Sequence, residues 1–322
     1  MKENFEIVAI QNSNLALDLA SYLNKKIIVP QIEDFADTET LIKISNTDII
    51  KNKVIFVVQQ FFFFHKNNSY IDLINNQLFK LLLLVDYLKK AGAKKIVCIL
   101  PYLPYSRQNK TACGKYFGAA FLLGKLFKHA GLDRVVCFDL HEPGIKLEFE
   151  TELENVKLDE FWVDFLKSKF KDEIFKFSLV SPDMGRIAMV KNIAKLLGIS
   201  FAYIEKKRIG IDRSVSIELF GNVNKNVIVI DDIVDTAKTA INTCNLLVKK
   251  DAKKIIGCFS HAVMTNDAKD KLESSLYEEI FLTDTVPVDS KTSDSKKIFI
   301  LSVKDFLCNY IKQYLSLNDG KF

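Results

Sequence analysis

The chain has 322 residues, of which 48% are hydrophobic and 26% charged, with a formal net charge of +5 at pH 7. This length is enough for about two domains, and the composition excludes a largely disordered chain. Lysine and arginine form no block dense enough for a nucleic-acid-binding face. The small excess of positive charge therefore indicates an ordinary solvated surface or a preference for an anionic small substrate.

The sequence also gives expectations about location and partners. The stretch MKENFEIVAI lacks the long apolar core of a signal peptide, and no apolar run approaches the length that spans a membrane. The six cysteines are scattered without a CxxC pair, and Cys98, Cys137 and Cys258 lie in apolar runs, where we expect buried thiols. We therefore expect a cytoplasmic protein with neither nucleic acid nor a membrane as a partner.

Apolar runs and amphipathic stretches alternate along the chain, which predicts βαβ units and parallel sheets. The runs typical of strands are 5–11, 26–29, 41–44, 53–59, 95–100, 134–140, 177–180, 201–205, 215–220, 227–230, 254–260 and 279–283. The stretches with helical periodicity are 15–23, 73–90, 118–129, 158–170, 185–197, 240–250 and 303–315. Residues 32–39 are predicted to be a loop. The aromatic run FFFF at 61–64 is predicted to pack as a buried loop edge, with a contact surface as the alternative.

This alternation runs through the chain twice, which predicts two similar domains divided near residues 148–155. We assign residues 1–150 to the first domain and 151–302 to the second. The C-terminal helix, within 303–322, is expected to join the first domain.

Reactive side chains recur just beyond the predicted strands. They are Arg107, His141, Asp183, Lys206 and Asp231. Ligands of open α/β sheets bind at the carboxyl ends of the strands, so we expect these five positions to converge on one cleft between the two lobes.

The stretch 226–240, NVIVIDDIVDTAKTA, joins a strand-like run to a helix. Unpaired N–H groups at a helix N-terminus bind anions, and the hydroxyls of Thr236 and Thr239 add donors. The leading carboxylates, Asp231 and Asp232, suit ribose hydroxyls or the shell of a metal ion. The pattern indicates a ligand with sugar hydroxyls at one end and phosphate at the other. An ordinary strand–loop–helix with a solvated acidic turn has the same residue types.

Other polar residues have a functional and a plainer interpretation. His141 and Asp183 could share a Mg²⁺ ion with substrate phosphates, or they could be a hydrogen-bonded histidine and a helix N-cap. Arg107 suits phosphate through its fork of donors, or it could be a surface cation. The basic stretch 206–213 could close over transferring phosphates or be a solvated face.

Several of these segments together resemble a known family. They are FADTE at 35–39, PYLPYSRQ at 101–108, DLH at 139–141, SPDMG at 181–185, KKR at 206–208 and DDIVDTAKT at 231–239. The last resembles the phosphoribosyl-diphosphate-binding loop of type I phosphoribosyltransferases. The whole set, with LTDTVPV at 282–288, resembles the ribose-phosphate pyrophosphokinases over nearly the entire chain.

This resemblance implies an α/β fold of two similar type I phosphoribosyltransferase domains, each a mainly parallel sheet flanked by helices. It implies an enzyme, a ribose-phosphate diphosphokinase, that transfers the diphosphoryl group of ATP to O1 of ribose 5-phosphate. The products are then 5-phosphoribosyl 1-diphosphate and AMP. Mg²⁺ is the implied cofactor, and a homo-oligomer, either a dimer or a hexamer, is the implied assembly.

The resemblance also implies roles for individual residues. The ATP-binding residues would be Phe35, Asp37, Glu39, Arg107 and Gln108. The catalytic residues, which stabilise charge on the transferring group, would be Lys206 and Arg208. The ribose 5-phosphate-binding residues would be Arg208, Asp231, Asp232, Asp235, Thr236, Ala237, Lys238 and Thr239. The residues that position Mg²⁺ would be His141 and Asp183.

Four departures from the family pattern keep two other hypotheses open. Thr38 and Lys238 replace glycines, Arg186 replaces the second glycine after SPDxG, and Asn109 begins a stretch that differs from the family's D-R-K. These changes favour a non-catalytic homologue that binds nucleotide or regulates an active partner. A phosphoribosyltransferase that consumes the product is the third hypothesis.

Overall fold

The computed structural model describes residues 4–10, 13–62, 74–108, 118–209, 214–288, 292 and 294–318. The strands are β1 Phe5–Ala9, β2 Ile27–Ile28, β3 Gln31–Asp34, β4 Thr40–Lys43, β5 Val54–Val58, β6 Lys95–Ile99, β7 Arg134–Phe138, β8 Glu152–Val156, β9 Phe177–Ser181, β10 Ser200–Ile209, β11 Ser214–Phe220, β12 Asn226–Val234, β13 Lys254–Ala262, β14 Glu279–Thr283 and β15 Ile298–Leu301. The helices are α1 Asn14–Tyr22, α2 Ile74–Lys90, α3 Ala119–Ala130, α4 Asp159–Phe170, α5 Ile187–Leu197, α6 Lys238–Lys249, α7 Ala268–Glu273 and α8 Lys304–Asn318. The chain divides into two compact units, Met1–Val156 with Ser302–Phe322, and Lys157–Leu301.

The first unit contains a six-stranded sheet in the order β2-β1-β5-β6-β7-β8, and every neighbouring pair is parallel. All five residues of β5 are buried, as expected for a parallel strand covered on both faces. Side chains of α2 and α3, including Leu84 and Phe127, complete the core beside Val57 and Val135. The C-terminal helix α8 belongs to this unit, and its Tyr314 ring lies edge-on to Phe56 at a centroid distance of 6.0 Å.

A separate antiparallel hairpin, β3–β4, belongs to the same unit. Its loop is closed by two backbone hydrogen bonds, from the Phe35 N–H to the Glu39 carbonyl (2.8 Å) and from the Thr38 N–H to the Phe35 carbonyl (2.9 Å). The prediction of a loop over 32–39 is therefore wrong for residues 32–34, which form β3. Only the turn at 35–39 is a loop.

The second unit contains a seven-stranded sheet in the order β11-β10-β9-β12-β13-β14-β15. Its strands are parallel except for the antiparallel pair β10–β11. The chain places β10 and β11 on one side of β9 and all later strands on the other side of it. The strand order therefore reverses between β9 and β12, the position at which α/β sheets bind ligands.

Most predicted strands and helices are confirmed to within a few residues. The sequence pattern does not predict β8, α7 or β15. The strand predicted at 227–230 is also too short, because β12 continues through Asp231 and Asp232 to Val234. Similarly, Lys206 lies within β10 and does not follow it.

Several smaller predictions have clear outcomes. Cys98, Cys137 and Cys258 are buried free thiols, as expected. Phe61 is fully buried, which confirms the packing interpretation for that residue, whereas residues 63 and 64 lie outside the described part of the chain. Within the described ranges, no helix has the length and apolar character needed to cross a bilayer.

Candidate active site

Three carboxylates meet where the strand order of the second unit reverses. Asp183 follows β9, and Asp231 and Asp232 lie near the C-terminal end of β12, the strand beside it. Both β12 aspartates are buried, with 7% and 2% of their surface exposed. Burial is the main cause that raises the pKa of Asp231 well above its usual value, and the charges of Asp232 and Asp183 raise it further.

Arg186 supplies a positive charge to this cluster. It is the last residue of a short 3₁₀ turn, Met184–Arg186, whose N-cap is Asp183. The Asp183 Oδ1 accepts a hydrogen bond from the Gly185 N–H at 2.8 Å, so the N-cap interpretation of Asp183 is confirmed. The Arg186 Nη1 lies 3.4 Å from Asp232 Oδ2, and both side chains are nearly inaccessible.

The stretch Asp235 to Thr239 connects β12 to α6, so the predicted cradle lies at a helix N-terminus. The left-handed residue of the turn is Ala237 (φ 61°, ψ 0°), and Lys238 is already the first residue of α6. The left-handed conformation, which glycine adopts most easily, therefore falls on Ala237, one residue before Lys238, where the family pattern has glycine. Thr236 and Lys238 also help to line a cavity of about 570 Å³, together with residues further along α6 and around α7.

Lys206 and Arg208 lie on a two-stranded extension of the second sheet. β10 pairs with β9 only over its first residues, Ser200 to Tyr203, and beyond that point it pairs with β11 alone. Lys206 and Arg208 are two residues apart along β10, opposite Ile217 and Val215 of β11. The structure describes only the backbone of this segment, and Gly210 to Arg213 lie outside the described residues.

Three predicted ATP-binding residues occupy the turn of the β3–β4 hairpin. The Phe35 side chain is 52% exposed, and the Asp37 Oδ1 accepts a hydrogen bond from the Glu39 N–H at 3.1 Å. Thr38 has a positive φ of 73°, which explains why glycine is the favoured residue there.

The other two predicted ATP-binding residues, Arg107 and Gln108, line one cavity of about 460 Å³ in the first unit. Tyr102 and Tyr105 supply aromatic walls, and the Tyr105 hydroxyl is hydrogen-bonded to Asn75. Among the described residues that line this cavity, none comes from the hairpin turn. Asn109, Lys110 and Thr111 lie outside the described residues.

The two predicted metal-binding residues come from different units. His141 is half-buried and follows β7 in the first unit, whereas Asp183 belongs to the second unit. The strand end before His141 is fixed by the hydrogen bond from the Leu140 N–H to Asn155 Oδ1 (2.9 Å). Over the described part of the chain, no three His, Cys, Asp or Glu side chains converge to hold a metal ion by themselves.

Sequence reasoning missed two contacts at the second-unit site. The Thr265 hydroxyl donates a hydrogen bond to the Asp235 carboxylate from a segment thirty residues further along the chain. No local pattern signals that contact. Arg186 stood out only as a departure from SPDxGG, and because its partner Asp232 lies on a different strand, no local pattern signals the ion pair.

Comparison with known proteins supports one family over both units. Residues 6–131 match the N-terminal domain of ribose phosphate pyrophosphokinase, and residues 206–318 match the phosphoribosyl synthetase-associated domain. The ribose-phosphate pyrophosphokinase of Fusobacterium nucleatum subsp. nucleatum is 33% identical over 96% of this chain and 95% of its own length. That of Campylobacter jejuni subsp. jejuni is 30% identical, with coverage of 94% and 93%.

A solved structure gives the same result for the fold. Phosphoribosylpyrophosphate synthetase from Mycobacterium smegmatis matches with a TM-score of 0.85 and 28% identity, over 98% of this chain and 99% of that one. The predicted fold class is thus confirmed as α/β, with mainly parallel sheets of phosphoribosyltransferase type flanked by helices. The chain belongs to the ribose-phosphate pyrophosphokinase family.

Proposed function

We propose that this chain transfers the diphosphoryl group of ATP to O1 of ribose 5-phosphate, giving 5-phosphoribosyl 1-diphosphate and AMP. The observation that carries the proposal is the near full-length similarity to proteins named for this activity. In the reaction, O1 of the sugar forms a bond to the β-phosphorus, and the bond from that phosphorus to the α,β-bridging oxygen breaks. The proton of the O1 hydroxyl passes to water, and AMP leaves with the bridging oxygen and the electron pair of the broken bond.

The second unit is proposed to bind the acceptor, ribose 5-phosphate. Asp231 and Asp232 accept hydrogen bonds from ribose hydroxyls, and the cradle from Asp235 to Thr239 receives the 5-phosphate. The position of the cradle at the N-terminus of α6 supports this role, because unpaired N–H groups and the helix dipole both favour an anion there. The exposed Lys238 adds a cation beside the cradle, in the cavity of about 570 Å³.

The first unit is proposed to bind ATP. Arg107 and Gln108 share a cavity with two tyrosines, a combination of charged, amide and aromatic groups that suits a nucleotide. Phe35, Asp37 and Glu39 are exposed on the hairpin turn, where the ring can pack on adenine and the acids can accept hydrogen bonds. Their role rests on the family pattern, since these three residues do not line the cavity that holds Arg107.

Mg²⁺ is the proposed metal, and the residues present fit it. Asp183, Asp231 and Asp232 form an oxygen-rich cluster, in which burial, followed by the charges of Asp232 and Asp183, raises the pKa of Asp231. Within the described residues, no three such side chains converge closely enough to hold a metal ion by themselves. Such a partial shell suits Mg²⁺, which is usually held by one or two carboxylates together with substrate phosphates. Asp183 and His141 would hold the ion, and it would supply charge neutralisation on the nucleotide phosphates.

The protein's own contribution to the transfer is positioning and neutralisation of charge. Phosphoryl transfer needs little covalent help from a protein, but the reacting oxygens must lie in line and the negative charge must be countered. Lys206 and Arg208 are proposed as the cations that counter charge on the transferring group. Their spacing of two residues supports the role, because alternate residues of a strand lie on the same face.

The test is AMP production from ATP by the full-length chain, with and without ribose 5-phosphate and Mg²⁺. The expected result is AMP formation that depends strictly on both additions. AMP formation without ribose 5-phosphate would contradict the proposed acceptor, and no AMP at any magnesium concentration would end the enzyme hypothesis.

One observation favours a second candidate, a non-catalytic homologue that binds nucleotide or an active partner. Arg186 is ion-paired with Asp232 at a position where the family pattern has glycine. The two candidates differ in a single readout, since the non-catalytic homologue would bind ATP or a partner subunit and give no AMP.

Assembly and location complete the proposal. We propose a homo-oligomer, either a dimer or a hexamer, by analogy with the family, and light scattering of the eluted protein tests it directly. A cytoplasmic location is proposed because the five cysteines in the described residues are free and buried, which suits a reducing compartment.

A further inference from the structure

We infer that Arg186 is a positioning residue for ribose 5-phosphate, acting through Asp232; this inference rests on the proposed function. The Arg186 guanidinium lies 3.4 Å from the Asp232 carboxylate, with 11% and 3% of the two side chains exposed. The pair joins two separate segments, the 3₁₀ turn after β9 and the carboxyl end of β12. It therefore fixes the side chain of Asp232 across the point where the strand order reverses.

The surroundings of the pair explain why a cation is needed there. Asp231 and Asp232 are adjacent and buried, and the Asp232 N–H donates a hydrogen bond to Asp231 Oδ1 at 3.0 Å. Two buried carboxylates so close together repel each other, and a buried charge requires a partner to stay ionised. Arg186 places a positive charge beside Asp232 and holds its carboxylate in one orientation as a hydrogen-bond acceptor.

The ion pair should affect the affinity for ribose 5-phosphate but not the affinity for ATP. A carboxylate held in one orientation loses less conformational freedom when it accepts a hydrogen bond from a sugar hydroxyl. Removal of the guanidinium should therefore weaken binding of ribose 5-phosphate and leave binding of ATP unaffected. An Arg186 that only stabilised the fold would change both substrates together or neither.

The experiment compares Arg186→Met, Arg186→Lys and wild type by AMP formation and by calorimetric titration with ribose 5-phosphate. We expect Arg186→Met to raise the KM and the Kd for ribose 5-phosphate about tenfold, a typical effect of losing a hydrogen-bonded charge. The KM for ATP should change less than about twofold, and Arg186→Lys should recover most of the loss. Lys191→Met, an exposed cation on α5, is the matched control and should behave as wild type.

A double-mutant cycle with Asp232→Asn tests whether Arg186 acts through Asp232, and it also removes the unpaired buried charge that could unfold Arg186→Met. In the Asp232→Asn background, Arg186→Met should change the Kd for ribose 5-phosphate less than about twofold. An equal effect in both backgrounds, or a folded Arg186→Met with wild-type affinity, would overturn the inference. If wild type bound ribose 5-phosphate but made no AMP, only the proposed reaction would be contradicted. The double-mutant cycle would then be evaluated from the Kd for ribose 5-phosphate. No binding by wild type would overturn both.

Discussion

The hydroxyl of Thr265 donates a hydrogen bond to the carboxylate of Asp235, the first residue of the cradle before α6. A backbone hydrogen bond, from the Met264 N–H to the Val234 carbonyl (3.0 Å), holds the same two segments together. Asp235 is thus oriented by the segment after β13, on the neighbouring strand. The geometry of the cradle therefore depends on a residue outside the ribose-phosphate stretch.

Replacement of Thr265 by valine tests this dependence. Valine has nearly the same shape but no hydroxyl, so Asp235 loses a donor while the packing is kept. Because a hydrogen bond to a charged group is worth about 1.5–3 kcal/mol, we expect the KM for ribose 5-phosphate to rise about tenfold or more. The measurement is the steady-state rate of AMP formation at varied ribose 5-phosphate.

The control for this prediction is Thr265→Ser, which keeps the hydroxyl and should stay close to wild type. A wild-type KM for Thr265→Val, or an equal rise in KM for Thr265→Val and Thr265→Ser, would show that this hydrogen bond does not control binding of ribose 5-phosphate.

A second prediction concerns Lys206, on the β10–β11 ribbon. Lys206→Ala should bind ATP with unchanged affinity and lose turnover by about 10²–10³-fold, the usual effect of removing one group that stabilises transition-state charge. Lys207→Ala is the matched control, because the next residue along a strand lies on its opposite face. Rapid-quench measurement of AMP under saturating substrates gives the rate, and a full rate for Lys206→Ala would show that the assignment is wrong.

Much of the fold could be predicted from the sequence because buried parallel strands read as continuous apolar runs. The part that escaped prediction depends on contacts between distant residues. Asp231 and Asp232 look like a strand terminus, yet β12 continues through them, and Arg186 from a different segment supplies a positive charge to the buried Asp232. No rule based on neighbours in sequence contains that information.

The strand β8 escaped prediction for a related reason. Three of its five residues are polar, so it looks like a polar linker, but Arg134 of β7 forms ion pairs with both Glu152 and Glu154. The charged positions of β8 are thus paired across the sheet. At the candidate site, Asp231 to Thr239 could be found from residue types, whereas the contribution of Thr265 could not.

A third prediction concerns backbone strain at Thr38. Its φ of 73° lies in the left-handed region, which costs a β-branched residue more than it costs glycine. The exposed Thr38→Gly change should therefore stabilise the hairpin turn by about 1 kcal/mol. The measurement is hydrogen exchange of the Phe35 amide, which bonds the Glu39 carbonyl across the turn. Protection should rise about fivefold.

Thr38→Ala separates strain from side-chain effects in this experiment. Alanine removes the branched side chain but keeps a Cβ at the same positive φ, so its gain should be clearly smaller. An equal gain for alanine and glycine would mean that the backbone conformation does not limit the stability of the turn.

The last prediction concerns the pH dependence that Asp231 imposes on the second unit. Burial, followed by the charges of Asp232 and Asp183, raises the pKa of this carboxyl well above its value in the unfolded chain. The folded state then binds the proton more tightly than the unfolded state does. The contribution of Asp231 to stability is thus complete below about pH 4. It is lost as the pH rises toward the raised pKa, at about 1.4 kcal/mol for each pH unit between the unfolded-state and folded-state values.

Asp231→Asn has no such proton to lose, so it should be more stable than wild type at pH 7 and equal to it near pH 4, while its affinity for ribose 5-phosphate falls. Thermal unfolding from pH 4 to 8 measures the difference, with the exposed Asp172→Asn as the control that should show none. A difference between wild type and Asp231→Asn that does not change with pH would contradict the raised pKa.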